Sequence, residues 1–386
     1  MQKKVYGKPM IVVMFLMLLS ALVACSANGS GDATSAGNSV TNALNTTATV
    51  HMGEQPCPVA VSLATYWNPI IPTQADVNNV EKVTCAHVKN DASLQALITV
   101  RAEGTGAVLD VYIYDNITDP SPKQLFKLLG LYKGDARISA YNTLLTGEVD
   151  QNSSINKNTT ALQMDLFREF AWSEQVGTLI PVSFPGIFPD LTRYQAEADQ
   201  QQVNQGQQSW KLHADATAAG LAANLLHWSL NASTTIVSGG GPHDANAVVT
   251  VKSTSPGGGS IKVSLSRLEN NTNNGIWSVT AVTSDGMALT SPHSRDYLSS
   301  PITIKGNGTS STGKIGSIVV LDHLYKDIGH ADATGASNNG NTTFAANVSF
   351  ASSFKSGLQE GLVVLYGYSS TDGSIIGAVM VKELLS

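Results

Sequence analysis

The stretch GLVVLYGYSSTDGSIIGAVMVKELL, residues 361–385, says more about the fold than any other part of the sequence. We interpret it as two short alternating runs, separated by the turn residues SSTDGS at 369–374. Short alternating runs bounded by turn residues are also expected at 302–308, 316–333 and 344–350. This pattern predicts an antiparallel β-sandwich of about seven short strands over residues 288–386.

Four motifs mark this region: the Ser-Pro pairs at 291–292 and 300–301, the second leading into ITIKGNG, the FxxxVSF pattern at 344–350, and SSTDGS before the final strand. Together they resemble the immunoglobulin-like domain of bacterial spore-germination lipoproteins. The resemblance covers about a quarter of the chain, which departs from it in a longer Gly- and Asn-rich insertion around 336–343. It implies an adhesion or assembly module, linked to sporulation or germination, and it supplies no catalytic residues.

Residues 189–287 combine helical and strand patterns. Asp190 is placed to cap a connector helix that continues to about Asn204, and Asp215 is placed to cap a second helix. The apolar stripe of the second helix is formed by Ala218, Leu221, Ala222, Leu225 and Trp228. Alternating runs follow at 246–253, 260–269 and 275–284. A helix followed by an antiparallel meander predicts an α+β domain, and this element order resembles cystatin-like and nuclear-transport-factor-like folds.

Residues 54–188 have the pattern of a first α+β domain. Alternating runs at 96–103 and 107–115 flank a short Gly-containing loop and predict a β-hairpin. The capping sequence SPKQ at 121–124, followed by apolar residues, predicts a helix that ends at Gly130. Further strands are expected at 136–150, 162–172 and 177–184. The predicted fold is therefore a multidomain chain of α+β and all-β parts.

The N-terminus has the features of a signal peptide over residues 1–24. Three lysines precede an apolar run from Met10 to Ala24, which is short for a membrane-spanning helix and ends in small residues. The string Leu22, Val23, Ala24, Cys25 resembles a bacterial lipobox, which implies that Cys25 is lipidated and becomes the first residue. The alternative is an ordinary secretory signal with an incidental Cys25.

Composition and charge favour a location outside the cytoplasm for the rest of the chain. Residues 25–53 are rich in Gly, Ser, Thr and Asn and predict a disordered tether behind the lipid. Removal of residues 1–24, which hold three lysines and no acidic residue, lowers the net charge from −6 to −9. An acidic chain without a basic stripe does not neutralise phosphates, so a nucleic-acid partner is excluded. We expect the extracytoplasmic face of the cell membrane.

Cys57 and Cys85 remain as a pair once Cys25 is lipidated. In an oxidising compartment an even pair predicts a disulfide bond. A thiol or metal pair is the alternative, but the C-x-x-C spacing is absent.

The sequence contains no strong catalytic motif. The chain has no G-x-S-x-G elbow, no H-E-x-x-H and no phosphate-binding glycine loop. The densest group of potential metal ligands is Asp322, His323, Asp327, His330 and Asp332. We interpret it as the polar face of a strand and its loop, because metal binding needs several of these side chains to converge. No metal or cofactor site is therefore predicted.

Two further groups are candidates for functional residues. His243 and Asp244, beside three glycines, resemble a base and its orienting carboxylate, but no nucleophile accompanies them and a turn explains the glycines. Five tryptophans suggest sugar stacking: Trp67, Trp172, Trp210, Trp228 and Trp277. Trp228 and Trp277 lie on apolar faces and predict core positions, whereas Trp67 and Trp172 are candidates for surface aromatics.

These observations favour a non-enzymatic, lipid-anchored envelope protein that binds an envelope protein or a cell-wall polymer. A secreted hydrolase or metal-dependent enzyme with dispersed residues is the first alternative. A small-ligand-binding lipoprotein, with an apolar pocket in the middle domain, is the second.

Overall fold

The first half of the chain forms two four-stranded antiparallel sheets. A computed structural model describes residues 52–71, 78–102, 104, 107–269, 274–351 and 357–386, so Cys25, the predicted signal peptide and most of the predicted tether lie outside the described residues. The first sheet follows a short helix, α1 (Ala64–Trp67), and contains β1 (Asn78–Ala86), β2 (Gln95–Ala102), β3 (Leu109–Asp115) and β4 (Lys123–Leu131) in that order. The second contains β5 (Asp135–Ile138), β6 (Leu144–Glu148), β7 (Leu166–Ser173) and β8 (Thr178–Val182).

The predicted hairpin of β2 and β3 is confirmed, with Leu97 opposite Ile113. The helix predicted after residue 121 is wrong, because that segment is β4 and pairs with the free edge of β3. A helix cap contributes about 1 kcal/mol, whereas β4 gains a ladder of hydrogen bonds and buries Leu125 in the apolar cluster between the sheets. Gly130, expected to end the helix, has a φ of +84° near the end of β4, and its N–H donates to Asp110 Oδ1.

Both predicted helices of the middle region are present, with shifted starts. They are α2 (Arg193–Asn204) and α3 (Ala214–Leu225), joined through a 3-10 turn at Ser209–Leu212. The hydroxyl of Thr192, rather than Asp190, accepts the N–H of Gln195 and caps α2. His213, rather than Asp215, precedes α3, and the predicted apolar stripe of α3 is buried.

The remaining strands form one hydrogen-bonded path. In chain order they are β9 (Ser233–Gly239), β10 (Asn246–Lys252), β11 (Ser260–Ser266), β12 (Ser278–Thr283), β13 (Met287–Ser291), β14 (Tyr297–Leu298), β15 (Ile302–Thr309), β16 (Lys314–Leu321), β17 (Asp327–Asn338), β18 (Asn341–Val348), β19 (Gln359–Tyr368) and β20 (Ile375–Leu385). The spatial order is β13-β15-β18-β17-β16-β19-β20-β12-β11-β10-β9, with β14 parallel to β20. The described residues are thus mostly β, in several antiparallel sheets.

Strands β19 and β20 are buried on both faces. Val363, Leu365 and Val379 point into a cluster shared with β15, β16 and β18. Leu362 and Met380 point the other way, into the cluster that α3 covers. The alternation predicted for the run in β19 is therefore wrong. A strand with two buried faces has a continuous apolar run, and residues 362–366 are LVVLY.

The sheet crosses the predicted boundary between residues 287 and 288, which falls inside β13. Val282 of β12 pairs with Met380 of β20, so the strands of the middle region continue into the C-terminal ones. The described residues all belong to one compact unit. The predicted domain boundaries within that unit stay predictions.

The predicted disulfide is confirmed. Cys57 and Cys85 are bonded, with their Cα atoms 5.1 Å apart. Cys85 is buried in an apolar cluster together with Trp67. The bond therefore attaches the segment before α1 to strand β1. Within the described ranges, no helix is long and apolar enough to cross a membrane.

Candidate functional site

An open cleft lies where the C-terminal end of α3 meets strands β16 and β19. Its volume is about 370 Å³. The apolar part of its lining consists of Leu225, Val319, Leu321 and Ile375, and the aromatic and polar part consists of Asn224, His227, Tyr325, Asp327, Tyr366 and Tyr368. The cleft thus combines three phenol rings with hydrogen-bonding groups at the protein surface.

Two of the three tyrosines are held by backbone carbonyls. The Tyr325 hydroxyl donates to Ile187 O at 2.7 Å, and the Tyr366 hydroxyl donates to Leu225 O at 3.2 Å. Burial raises the pKa of both phenols, so they remain neutral donors at physiological pH. Tyr368, two residues further along β19, is 42% exposed. The first two rings therefore form a fixed floor, and the third is open to a ligand.

The polar groups of the cleft come from loops beside these rings. His227 has a φ of +56° and follows the end of α3, where Asn224 Nδ2 donates to Gly220 O. Asp327 begins β17, and its Oδ1 accepts the N–H of Gly329. All three side chains are exposed. A ligand that presents hydroxyl groups would meet an imidazole, an amide and a carboxylate at the rim.

A buried ionic cluster lies behind the cleft. Lys382 Nζ is 3.5 Å from Glu360 Oε2 and donates to the carbonyls of Gly186 and Leu191. Glu360 also accepts from Ser183 Oγ and from the N–H of Phe184. Burial lowers the pKa of Lys382 to about 8 and raises that of Glu360. Each side chain has several hydrogen-bond partners, which offset part of the free-energy cost of burying it.

The cluster continues through Asp190, the residue expected to cap α2. Lys211 forms an ion pair with Asp199, and its Nζ lies 4.0 Å from Asp190 Oδ2. Burial raises the pKa of Asp190 to about 6, against the attraction of Lys211. Asp190 follows Pro189, whose carbonyl accepts from the hydroxyl of Tyr325. The floor of the cleft and the ionic cluster thus share the 187–190 segment.

A second branch joins the two halves of the chain. Arg193 donates to Glu169 of β7 and to Glu269, each at 2.8 Å. Arg137 of β5 pairs with Glu197 of α2 at 3.0 Å. Burial raises the pKa of Glu269 to about 7. These contacts position the second four-stranded sheet against α2, and we interpret them as structural.

The five candidate metal ligands between residues 322 and 332 do not converge. Asp322 Oδ1 accepts the N–H groups of Leu324 and Lys326 within one turn. His323 is buried, with Nδ1 2.6 Å from Gln359 Oε1. Asp332 pairs with Lys314, and His330 lies 3.6 Å from Asp327. Among the described residues, no group of three or more His, Cys, Asp or Glu side chains is placed to hold a metal ion.

The other sequence candidates have local roles. Asp244 Oδ2 accepts the N–H of Gly241 and so closes the glycine-containing turn, while His243 is exposed. The predicted core positions of Trp228 and Trp277 are confirmed. Trp67 as a surface aromatic is wrong, because it is fully buried and donates to Val61 O. Trp172 is half-buried and donates to Glu174, and Trp210 is 37% exposed.

The sequence candidates for aromatic binding residues are tryptophans, and the cleft tyrosines are not among them. The signal that was available is the pair Tyr366 and Tyr368, which lie two residues apart on one strand and so point to the same side. Tyr325 gave no such signal, since it lies in the turn between β16 and β17.

Comparisons with known proteins leave the family open. No protein-family model matches the chain, and no curated protein is significantly similar to it. Among solved structures, a crystal structure of a protein of unknown function from Dyadobacter fermentans aligns with 80% of this chain and 98% of its own, at 9% identity and a TM-score of 0.20.

Proposed function

We propose that this protein is a lipid-anchored, extracytoplasmic envelope protein that binds an envelope component without catalysing a reaction. The observation that carries the binding role is the open cleft at the end of α3, with Tyr368 exposed above two tyrosines that backbone hydrogen bonds hold in place. A preorganised site binds with little loss of conformational entropy. The bound component is an envelope protein or a cell-wall polymer.

The anchor in this proposal is Cys25, whose position after Leu22, Val23 and Ala24 supports lipidation. Each buried methylene of an acyl chain contributes about 0.8 kcal/mol, so two or three chains hold a protein stably on a membrane. Replacing Cys25 by Ser in the full chain is expected to release the protein from membranes or to leave the uncleaved precursor. Tight membrane association of a correctly cleaved Cys25→Ser protein would contradict the anchor.

We further propose that residues 288–386 are an immunoglobulin-like module and that 189–287 have a cystatin-like or nuclear-transport-factor-like arrangement. The apolar cluster between β15–β18 and β16–β19–β20 supports the first, and α3 packed on the β9–β12 meander supports the second. The link to sporulation or germination follows from the resemblance of the C-terminal motifs and belongs to the same proposal.

The binding role is tested with envelope fragments. A soluble chain that begins at residue 26 is mixed with envelope fragments from the producing bacterium and centrifuged. The wild-type chain is expected in the pellet, and Tyr368→Ala is expected to remain in the supernatant. Tyr297→Ala removes an exposed tyrosine outside the cleft lining and is the matched control. If all three chains pellet equally, the cleft is not the binding site for the envelope component.

The alternative functions give different results in the same experiment. A hydrolase would release soluble fragments from the envelope material, and the release would stop when its catalytic residue is replaced. A small-ligand-binding lipoprotein would leave the pellet unchanged and would bind a dialysable compound. Chemical crosslinking on intact cells identifies which component lies next to the protein.

A further inference from the structure

The cleft at the end of α3 has a composition that discriminates among envelope components. Its three phenol rings are large, rigid surfaces with an apolar face and one polar atom each. Its rim holds an amide, an imidazole and a carboxylate, from Asn224, His227 and Asp327. Apolar faces together with hydroxyl-accepting groups match a sugar ring, whose C–H faces pack on aromatic rings while its hydroxyl groups donate and accept at the edges.

The charge of the site and of the chain narrows the class of sugar. Asp327 is exposed at the rim, and no lysine or arginine belongs to the described lining of the cleft. The chain without residues 1–24 has a net charge of −9. A polymer of phosphates or uronic acids would be repelled by this field, and no cation of the lining would pair with it. An uncharged sugar avoids both costs.

The size and rigidity of the cleft fit a short part of a chain. A volume of about 370 Å³ lies near the lower end of the range of roughly 300–1,000 Å³ that is common for ligand sites. One or two sugar rings occupy such a space, and the cleft is open, so a longer chain can extend out of it. The Tyr325 and Tyr366 rings are held by their hydroxyl bonds to Ile187 and Leu225, so the floor is preformed.

We infer that the cleft is a binding site for a neutral glycan, in which Tyr368 stacks on one sugar ring and Asp327, His227 and Asn224 bind its hydroxyl groups. This inference rests on the proposed function, because it names the ligand class of the same cleft. It excludes an anionic wall polymer as the primary ligand.

The test uses the soluble chain from residue 26 and three oligosaccharides. Chitotetraose and cellotetraose are the neutral probes, and a galacturonate oligomer of equal length is the anionic probe. Binding is measured by calorimetry and by saturation-transfer NMR. At least one neutral probe is expected to bind, and the galacturonate oligomer is expected to bind at least tenfold more weakly. No binding of either neutral probe, or tighter binding of the anionic one, overturns the inference.

Variants of Tyr368 separate stacking from a general loss of structure. Tyr368→Ala is expected to weaken binding of the neutral probe about tenfold, which corresponds to about 1.4 kcal/mol. Tyr368→Phe keeps the ring and is expected to bind within about threefold of wild type, or about 0.65 kcal/mol. Tyr297→Ala is the control and keeps wild-type binding. Loss of binding in Tyr368→Phe equal to that in Tyr368→Ala would contradict stacking.

The outcomes distinguish this inference from the proposed function. If envelope fragments pellet the chain in a Tyr368-dependent way but neither neutral probe competes, the proposed function stands and the glycan inference fails. If a neutral probe binds in the cleft but envelope fragments do not pellet the chain, the glycan inference stands and the envelope role fails.

Discussion

Lys382 of β20 and Glu360 of β19 form an ion pair inside the protein, with both side chains almost completely buried and Nζ 3.5 Å from Oε2. They lie on adjacent strands at the place where the C-terminal sheet meets the loop at 183–191. Each charge therefore links that loop to the sheet. Because both ions have left water, the pair stabilises the fold only while each partner is present.

Replacing Lys382 by Met is expected to lower the free energy of unfolding by about 3–5 kcal/mol, since Glu360 loses its counter-charge and the carbonyls of Gly186 and Leu191 lose a donor. Lys314→Met, at an exposed pair with Asp332, is the control and should change it by about 0.5 kcal/mol or less. The double variant Lys382→Met/Glu360→Leu should recover part of the loss. Urea unfolding gives all three values. If Lys382→Met lowers the free energy of unfolding no more than Lys314→Met does, the ion pair does not stabilise the fold.

Glu383, the residue after Lys382, is expected to make the stability of the fold depend on pH. It is fully buried, and burial raises its pKa to about 9 from the ordinary value of 4.5. Between pH 4.5 and 9 the unfolded chain loses this proton while the folded one keeps it, so its contribution to stability falls as pH rises, by up to about 1.4 kcal/mol per pH unit.

Glu383→Gln removes that titration, and the variant should gain stability relative to wild type from pH 5 to pH 8. The exposed carboxylate of Glu174 supplies the control variant, Glu174→Gln, whose stability should follow that of wild type. Unfolding curves at several pH values measure both. Parallel curves for wild type and Glu383→Gln would mean that Glu383 titrates alike in the folded and unfolded chains.

The disulfide between Cys57 and Cys85 closes a loop with a sequence separation of 28 residues. Its loss in the double Ser variant should cost about 3–4 kcal/mol in the chain-entropy model. In the native protein neither thiol should react with an alkylating reagent until a reductant is added, and Cys25→Ser alone should leave the melting temperature unchanged. Two alkylated thiols without reductant would contradict a stable bond.

The predicted domain boundary at residue 288 can be tested with fragments of the chain. A fragment of residues 288–386 should unfold cooperatively with β-type circular dichroism, because the cluster around Ile318, Val363 and Val379 lies within it. It should be less stable than a fragment of residues 189–386. In the short fragment Leu362 and Met380 lose the cover of α3 and β12, at about 1.5–3 kcal/mol for each side chain. A disordered short fragment would show that the boundary is wrong.

Much of the secondary structure was predictable from local pattern. Alternation located the hairpin of β2 and β3 and the strands from β10 to β12, since one face of each is apolar. The stripe on α3 was also visible, because helical spacing places Leu221 and Leu225 on one side. These features depend on residues that are near each other in the chain.

The segment at 123–131 shows where local pattern fails. Its capping signal favours a helix, but the free edge of β3 offers a complete set of backbone partners that no local window contains. The predicted start of α2 is wrong for a related reason. Asp190 is a good cap by type, yet it lies within the buried ionic cluster near Lys211, and Thr192 takes the capping role.

The sequence by itself was sufficient to predict the hairpin of β2 and β3, the strands β10 to β12, the apolar stripe of α3 and the pairing of Cys57 with Cys85, because each depends on residue type and on local pattern. The lipidation of Cys25 stays a prediction. The tertiary structure alone decided that Tyr325, Tyr366 and Asn224 line one cleft, and that Lys382 meets Glu360 and lies beside the loop before α2. Those residues are distant in the chain, and only the pairing of β16, β19 and β20 and the packing of α3 across them bring their side chains within contact distance.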